Sequence, residues 1–344
     1  EGYTVVNVVD LESYVKGVIP SEVPSSYGME ALKAQAVCAR SYAYIQMMHN
    51  KYEAYGAHVD DSVNFQVYNK QNQTPETVAA VDETKGQVLS YKGDIIETYY
   101  YSTSYGHTGD YEAWNLDKDA YGYLQGVWVR SEENPIDLSD EKSFLDYISN
   151  VDSACYESDL KYFRWNTVLD FQGKDETLLH TIADRKEHQP EAISYYKDAS
   201  KTETTDSCSN FGSLQAINVV KRNQSGVILE LELEFQNGAV SVQSEYNMRA
   251  ILGCGITNIN LLDGSSVEMS ILPSAYISIQ AKGDGTYAVL GGGYGHGIGM
   301  SQNGAQKLCG QGFDYKRILN YFYQDTELTE LYQPQNTTKE EGGA

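Results

Sequence analysis

Residues 10–47 read DLESYVKGVIPSEVPSSYGMEALKAQAVCARSYAYIQM, and the rest of the chain is organised around them. A short apolar run from Val15 to Ile19 meets Pro20, then Glu22, then Pro24. Proline disfavours helix in the residue before it, so Ile19 and Val23 are both expected in extended geometry, with Glu22 on a stiff loop between the prolines. Ser25, Ser26 and Gly28 break the chain, and a helix is expected to begin near Met29. Along it Leu32, Ala36, Ala39, Ala43 and Met47 recur at three- and four-residue steps and draw one apolar stripe. Lys33 and Arg40, seven apart, share a second face. The arrangement presents one acid beside two cations.

The match Tyr14, Gly17, Pro20, Ser21, Glu22, Pro24 followed by Glu30, Lys33, Gln35, Arg40 and Tyr42 resembles the first motif of the stage II sporulation protein D (SpoIID) family, whose members are cell-wall lytic transglycosylases. A second strong motif accompanies it. Residues 291–305 read GGGYGHGIGMSQNGA and are similar, almost letter for letter, to that family's glycine-rich G-x-G-Y-G-H-G-V-G-M-S-Q-x-G-A. Seven glycines in fourteen residues permit positive φ and close backbone approach to a ligand. The segment is not a phosphate loop, because it fits neither G-x-x-x-x-G-K-[ST] nor G-x-G-x-x-G and holds no lysine. Between the two motifs, Ser102 to Thr108 resembles a family S-x-x-G-G-x-T segment, followed here by Trp114 and Tyr123-Leu124. Many relatives carry a cysteine where Ser104 stands, which with a nearby histidine could hold a metal. With serine there, no metal and no cofactor are expected, and His107 by itself is more often a hydrogen-bonded structural histidine than a ligand.

Composition sets bounds. The net charge is −23, from 48 acidic and 25 basic residues. That argues against nucleic acid as a partner, since phosphate binding needs basic patches, and the charge reads most simply as a solvated surface. The five cysteines show no C-x-x-C spacing, so neither a zinc site nor a disulfide scaffold is expected, although a single Cys155–Cys208 bridge is conceivable. The 29 tyrosines suit either a glycan binder or strand faces and core edges. No run of 18 apolar residues occurs. The sequence opens on Glu1 rather than methionine, as expected of a chain whose leading segment, a signal or an anchor, has been removed.

Taken in order, residues 3–9 (YTVVNVV) read as a strand. Thr74 caps a helix with Pro75 in its first position. Residues 86–101 form a hairpin about Lys92-Gly93-Asp94. Ser139–Asn150 reads as a short helix, and Phe163-Arg164-Trp165 resembles the family's aromatic strand. Residues 170–210 match nothing and read as part of an insertion. From Leu214 the chain turns to β. A hairpin closes about Asn223 to Gly226, a strand and a helical turn bearing Arg249 fill 238–253, and 270–281 is a strand that Pro273 places at an edge or bulge. Helices are expected over 301–309 and 313–326.

These readings predict an α+β fold with antiparallel or mixed sheets and a few helices, in two lobes around a glycan-binding cleft. The SpoIID-like domain covers 1–332: a first lobe of about 1–130, an insertion of about 131–212 and a β-rich second lobe of about 213–332, with a polar tail over 333–344.

The resemblance implies non-hydrolytic cleavage of the MurNAc–GlcNAc backbone to anhydro-muramyl ends, in engulfment or wall remodelling. Glycosidic cleavage usually needs two carboxylates, but where the sugar's own 6-hydroxyl attacks, one acid suffices. Glu22 is that acid, and the apolar Val18, Ile19 and Val23 would desolvate it. Lys33 and Arg40 are assigned to substrate groups or to helix packing. Ser104, Tyr105, His107, Tyr294, His296, Ser301 and Gln302 are the further substrate-binding candidates, with the loop facing Glu22. No H-E-x-x-H and no G-x-S-x-G is present. The implied partners are peptidoglycan strands and other wall hydrolases or engulfment proteins, outside the cytoplasm of a Gram-positive cell. A non-catalytic wall-binding or amidase-enhancing module, and an assembly scaffold, are the competing readings.

Overall fold

The structure, a computed structural model, describes residues 4–62, 65–68, 72–132 and 135–332. The helices in chain order are α1 (Leu11–Glu22), α2 (Met29–His49), α3 (Pro75–Glu83), α4 (Lys118–Tyr121), α5 (Glu141–Ile148), α6 (Asp175–His188), α7 (Glu245–Gly253), α8 (Gln302–Gly310) and α9 (Tyr315–Phe322). The strands are β1 (Gln87–Tyr91), β2 (Asp94–Ile95), β3 (Tyr100–Tyr101), β4 (Trp165–Asp170), β5 (Ile193–Tyr196), β6 (Leu214–Arg222) and β7 (Ile228–Phe235). They continue with β8 (Gly238–Val242), β9 (Ile259–Leu261), β10 (Ser266–Val267), β11 (Ile277–Ala281), β12 (Thr286–Gly291), β13 (Met300–Ser301) and β14 (Glu327–Glu330). The fold is α+β, and apart from the short parallel β3–β13 pair the sheets are antiparallel.

The chain forms two compact units. The first comprises residues 1–98, 313–320 and 325–344. In it α1, α2 and α3 close a small core of Val15, Val18, Ile19, Leu32, Ala36, Ala39, Ala80 and Val81. Each fully buried Val, Ile or Leu there contributes about 1.5–3 kcal/mol. The α1 helix starts where Asp10 accepts the Ser13 N–H at 3.0 Å. The Thr74 cap is a reciprocal capping box with Pro75 inside the first turn, as the sequence predicts. β1 pairs with β2 through Lys92 and Gly93, both at positive φ, and with β14 on its other edge.

Two readings of the first motif change. Ile19 is helical, because α1 runs through Pro20 to Glu22; Pro20 sits in the last turn, so its missing N–H frees only one carbonyl. Glu22 therefore ends a helix rather than riding a loop, and only Val23, at φ −137° and ψ 143°, is extended. The α2 helix is also buried well beyond one stripe: Ala31, Ala34, Gln35, Val37, Cys38, Arg40 and Ser41 are all buried. The strand expected over 3–9 does not form. Residues 4–9 form no strand among the described residues and expose Val5 and Val8, while residue 3 lies outside the described residues.

The second unit comprises 99–312 and 321–324. One sheet runs β10-β9-β4-β12-β11 and another β5-β8-β7-β6. Leu169, Leu231, Leu233, Val240, Val242, Met248, Ile251 and Val289 lie in its core. The stretch read as an insertion is built into these sheets: β4 lies mid-sheet with Trp165↔Gly291 in register, and β5 pairs with β8. Its strands are short and flanked by polar helix, so they give no repeating pattern to read. Residues 270–276 are irregular and the strand begins only at Ile277, past Pro273. The final helix ends at Phe322, short of Thr326. All five cysteines are free. The polar tail at 333–344 lies outside the described residues, and no described helix is long and apolar enough to cross a membrane.

Candidate functional site

In the first unit, Glu22 is half-buried and its Oε1 accepts the Val67 N–H at 2.9 Å. At the carbonyl end of α1 a negative charge meets the unfavourable pole of the helix, and no basic residue stands in the last turn to offset it. Just over two turns earlier on α1, the Tyr14 ring stacks on Tyr68, centroids 5.6 Å apart and planes 7° from parallel. That stacking requires Gly17, since a Cβ there would lie 2.4 Å from the Tyr68 ring. The Tyr14 hydroxyl is buried without a hydrogen-bond partner. Burial first, then the charges of Tyr42 and Glu22, push its ionisation far up.

The two cations are engaged elsewhere in this unit. Arg40 is fully buried. Its Nε and Nη2 fork onto Glu12 at 2.9 and 2.7 Å, Nη1 donates to the Gln87 carbonyl at 3.0 Å and Nη2 to that of Val81 at 3.2 Å. Of its two assigned roles, helix packing is the one these contacts carry. Lys33 bridges Glu83 at 2.8 Å and Glu30 at 3.0 Å, and the bond to Glu83 holds its ammonium above the usual range. Gln35 is 1% exposed, and neither end of its amide has a partner.

In the second unit, residues 99–109 and 291–303 are sewn together through the backbone. Thr103 and Tyr294 exchange N–H···O bonds at 3.1 and 2.8 Å, Gly109 N–H donates to Gly297 O at 2.6 Å, and Asn303 N–H donates to Ser102 O at 3.0 Å. Glycine is obligatory at 299, where φ is +79° and a Cβ would sit 2.1 Å from the Tyr99 carbonyl oxygen. His296 is half-buried. Its Nε2–H donates to Tyr100 O at 2.8 Å and its Nδ1 accepts the Ile298 N–H at 3.1 Å, which sets one neutral tautomer. Rings of Tyr101, Trp114 and Tyr99 surround it at 5.5, 5.2 and 6.5 Å, and burial pulls its pKa down to about 4. Tyr294 is half-buried and stacks on Tyr162 at 4.4 Å.

The remaining candidates face inward. Tyr105 is fully buried, stacked on Tyr276 at 4.5 Å, with its hydroxyl on Ser225 O at 2.6 Å. His107, 6% exposed, donates from Nδ1 to Thr108 O at 2.6 Å and meets Trp128 edge-on, and burial holds it near 4. Gln302 is buried at the start of α8, which Ser301 caps by accepting the Gly304 N–H at 3.1 Å. Ser104 and Ser301 meet at a residue that no motif marks. Glu157, fully buried, accepts the Ser104 N–H at 3.0 Å and the Ser301 hydroxyl at 2.7 Å on Oε1, and the Ser104 hydroxyl on Oε2. Burial raises its pKa to about 7 against those three bonds and the charge of Lys307. No sequence signal marks it, because the burial of the two serines that need an acceptor is decided only by the fold. The Ser104 hydroxyl is bound to the Glu157 carboxyl, and His107 is turned to a backbone carbonyl. Among the described residues, no three His, Cys, Asp or Glu side chains gather into a metal-binding group.

Comparison with known proteins fits this division. Residues 1–91 match the family model for the stage II sporulation protein, and residues 107–299, more than half of the chain, match a domain of unknown function. The chain is 28% identical over 329 residues to the amidase enhancer of Bacillus subtilis (strain 168), covering 92% of this chain and 40% of that protein. It is 26% identical over 337 residues to stage II sporulation protein D of the same organism, covering 94% of this chain and 75% of that protein. An uncharacterized protein of Brachyspira hyodysenteriae (strain ATCC 49526 / WA1) is 27% identical over 327 residues, covering 95% of this chain and 68% of its own. With the first motif inside the matched model and the glycine motif in the second unit, the chain carries a stage II sporulation protein domain and is similar along nearly its whole length to stage II sporulation protein D and to the amidase enhancer.

Proposed function

We propose that the protein acts on the bacterial cell wall outside the cytoplasm, as a lytic transglycosylase on peptidoglycan glycan strands, with Glu22 as its general acid and base. The observation that carries the reading is a half-buried carboxyl at the carbonyl end of α1 that accepts the Val67 backbone N–H and lies within electrostatic reach of Tyr14. Such a setting favours a group that gives up a proton and takes it back. Glu22 protonates the glycosidic oxygen between MurNAc and GlcNAc and the C1–O bond breaks. The 6-hydroxyl oxygen of the same MurNAc bonds to C1, and its proton returns to Glu22. No water is consumed and the product ends in an anhydro sugar. Tyr294 and His296, the candidates of the glycine loop that keep surface, are assigned to the glycan, and Lys33 to the approach of its polar groups.

The test is mass spectrometry of peptide-free glycan strands treated with the parent and with Glu22→Gln. Anhydro ends from the parent alone support the reading, while equal turnover by both proteins refutes it. A second reading, a non-catalytic enhancer of wall amidases, is favoured by the similarity to the amidase enhancer along 92% of the chain. It predicts sedimentation with the wall and faster amidase turnover, with no new ends.

A further inference from the structure

Glu157 is a buried ionisable side chain that the cleavage chemistry does not use, and it joins two separated parts of the second unit. Ser104 lies just after β3. Ser301 closes the glycine loop and caps α8. Both hydroxyls and the Ser104 N–H end on this one carboxyl, which has no exposed surface. The first turn of α8 abuts it as well: a Cβ on Gly304 would come within 3.2 Å of Oε2. The titratable groups facing it are Tyr101 from β3, Tyr321 from the end of α9, and Lys307 from α8, which is itself bound to Asp159 at 2.7 Å. The Tyr101 phenol is buried without a hydrogen-bond partner, and its ring packs on His296.

We propose that Glu157 is a positioning residue for the glycine loop: its carboxyl ties Ser104 to Ser301, and the gain or loss of its one proton changes the seating of residues 291–302. As a carboxylate it accepts all three bonds. As an acid it must donate one, and Ser104 Oγ, which already accepts the Gly106 N–H at 3.2 Å, is the hydroxyl that would take it. The switch also places or removes a full charge beside the Tyr101 phenol and, through that ring, beside His296. Glutamine imitates the acid, since its carbonyl accepts from Ser301 and the Ser104 N–H while its NH₂ donates to Ser104 Oγ.

His296 reports on this without titrating itself, because burial keeps it neutral down to about pH 4. Imidazole NMR spectra of the histidine-labelled full chain between pH 5.5 and 8.5 are expected to show its ring signal, assigned by loss in His296→Gln, moving with one midpoint near 7. In Glu157→Gln that transition should be absent. In Ser104→Ala, which deletes a bond to the charged form, the midpoint should rise. A flat parent signal, a transition that survives Glu157→Gln, or a midpoint that falls in Ser104→Ala overturns the proposal. The effect on cleavage rests on the function proposed above. There the parent's rate on glycan strands should change about ten-fold across pH 7 and that of Glu157→Gln should not. If the parent cleaves nothing, that function fails while the NMR arm still decides the role of Glu157.

Discussion

Replacing Arg40 by alanine should unfold the first unit's helical core more readily than any other change at a sequence-predicted cation. The guanidinium is fully buried and its Glu12 partner is 12% exposed, so neither charge has water to fall back on. Alanine removes the fork onto Glu12 and strips the Val81 and Gln87 carbonyls of a donor, leaving Glu12 with the Gly86 N–H at 3.1 Å. Breaking a buried pair by removing one partner costs about 3–5 kcal/mol, because the survivor stays buried and uncompensated. At about 1.4 °C per kcal/mol for a chain of this size, the melting temperature should fall by about 4–7 °C. The assay is circular dichroism, thermal and in urea, on the full chain. Arg40→Met combined with Glu12→Leu, which replaces both charges by apolar side chains, should recover most of the loss. A melting temperature for Arg40→Ala within about 2 °C of the parent would refute the argument that this arginine is a buried structural cation. If the double variant refolds and still cleaves or binds glycan, Arg40 takes no part in substrate recognition.

Gly299→Ala should destabilise strongly or displace the glycine loop, since its Cβ would meet the Tyr99 carbonyl oxygen at 2.1 Å in a left-handed backbone; unchanged melting and an unchanged His296 signal would contradict that. Gln35→Met should be neutral or raise stability by about 1–3 kcal/mol in urea titrations, because an unpaired buried amide carries an uncompensated desolvation cost; a clear loss would show the amide to be paired. Glu157 binds its proton more tightly folded than unfolded, so its contribution is complete below about pH 4.5 and is lost as pH rises through about 7. The parent should therefore lose about 3 kcal/mol relative to Glu157→Gln between those limits, read from urea midpoints, and a parallel pH dependence of the two proteins would contradict it.

The sequence by itself determined the α+β class, the family resemblance and most of the local elements. The Thr74-Pro75 cap, the Lys92-Gly93 turn and the hairpin at Asn223–Gly226 are set by backbone chemistry within a few residues, so they are legible without the fold. Tertiary structure alone decided which candidate residues are spent on the scaffold. Nothing local distinguishes Arg40 from a substrate cation; its partner Glu12 is 28 residues away and two of its carbonyl acceptors, Val81 and Gln87, lie beyond position 80. Pro20 looked like a helix breaker, yet the packing of Val15, Val18 and Ile19 against α2 and α3 outweighs the single hydrogen bond it removes. Glu157 was invisible for the same reason: its role exists only where two serines 197 positions apart converge on one dry carboxyl, and burial, which raises its proton affinity, is a property of the folded chain and not of the sequence around it.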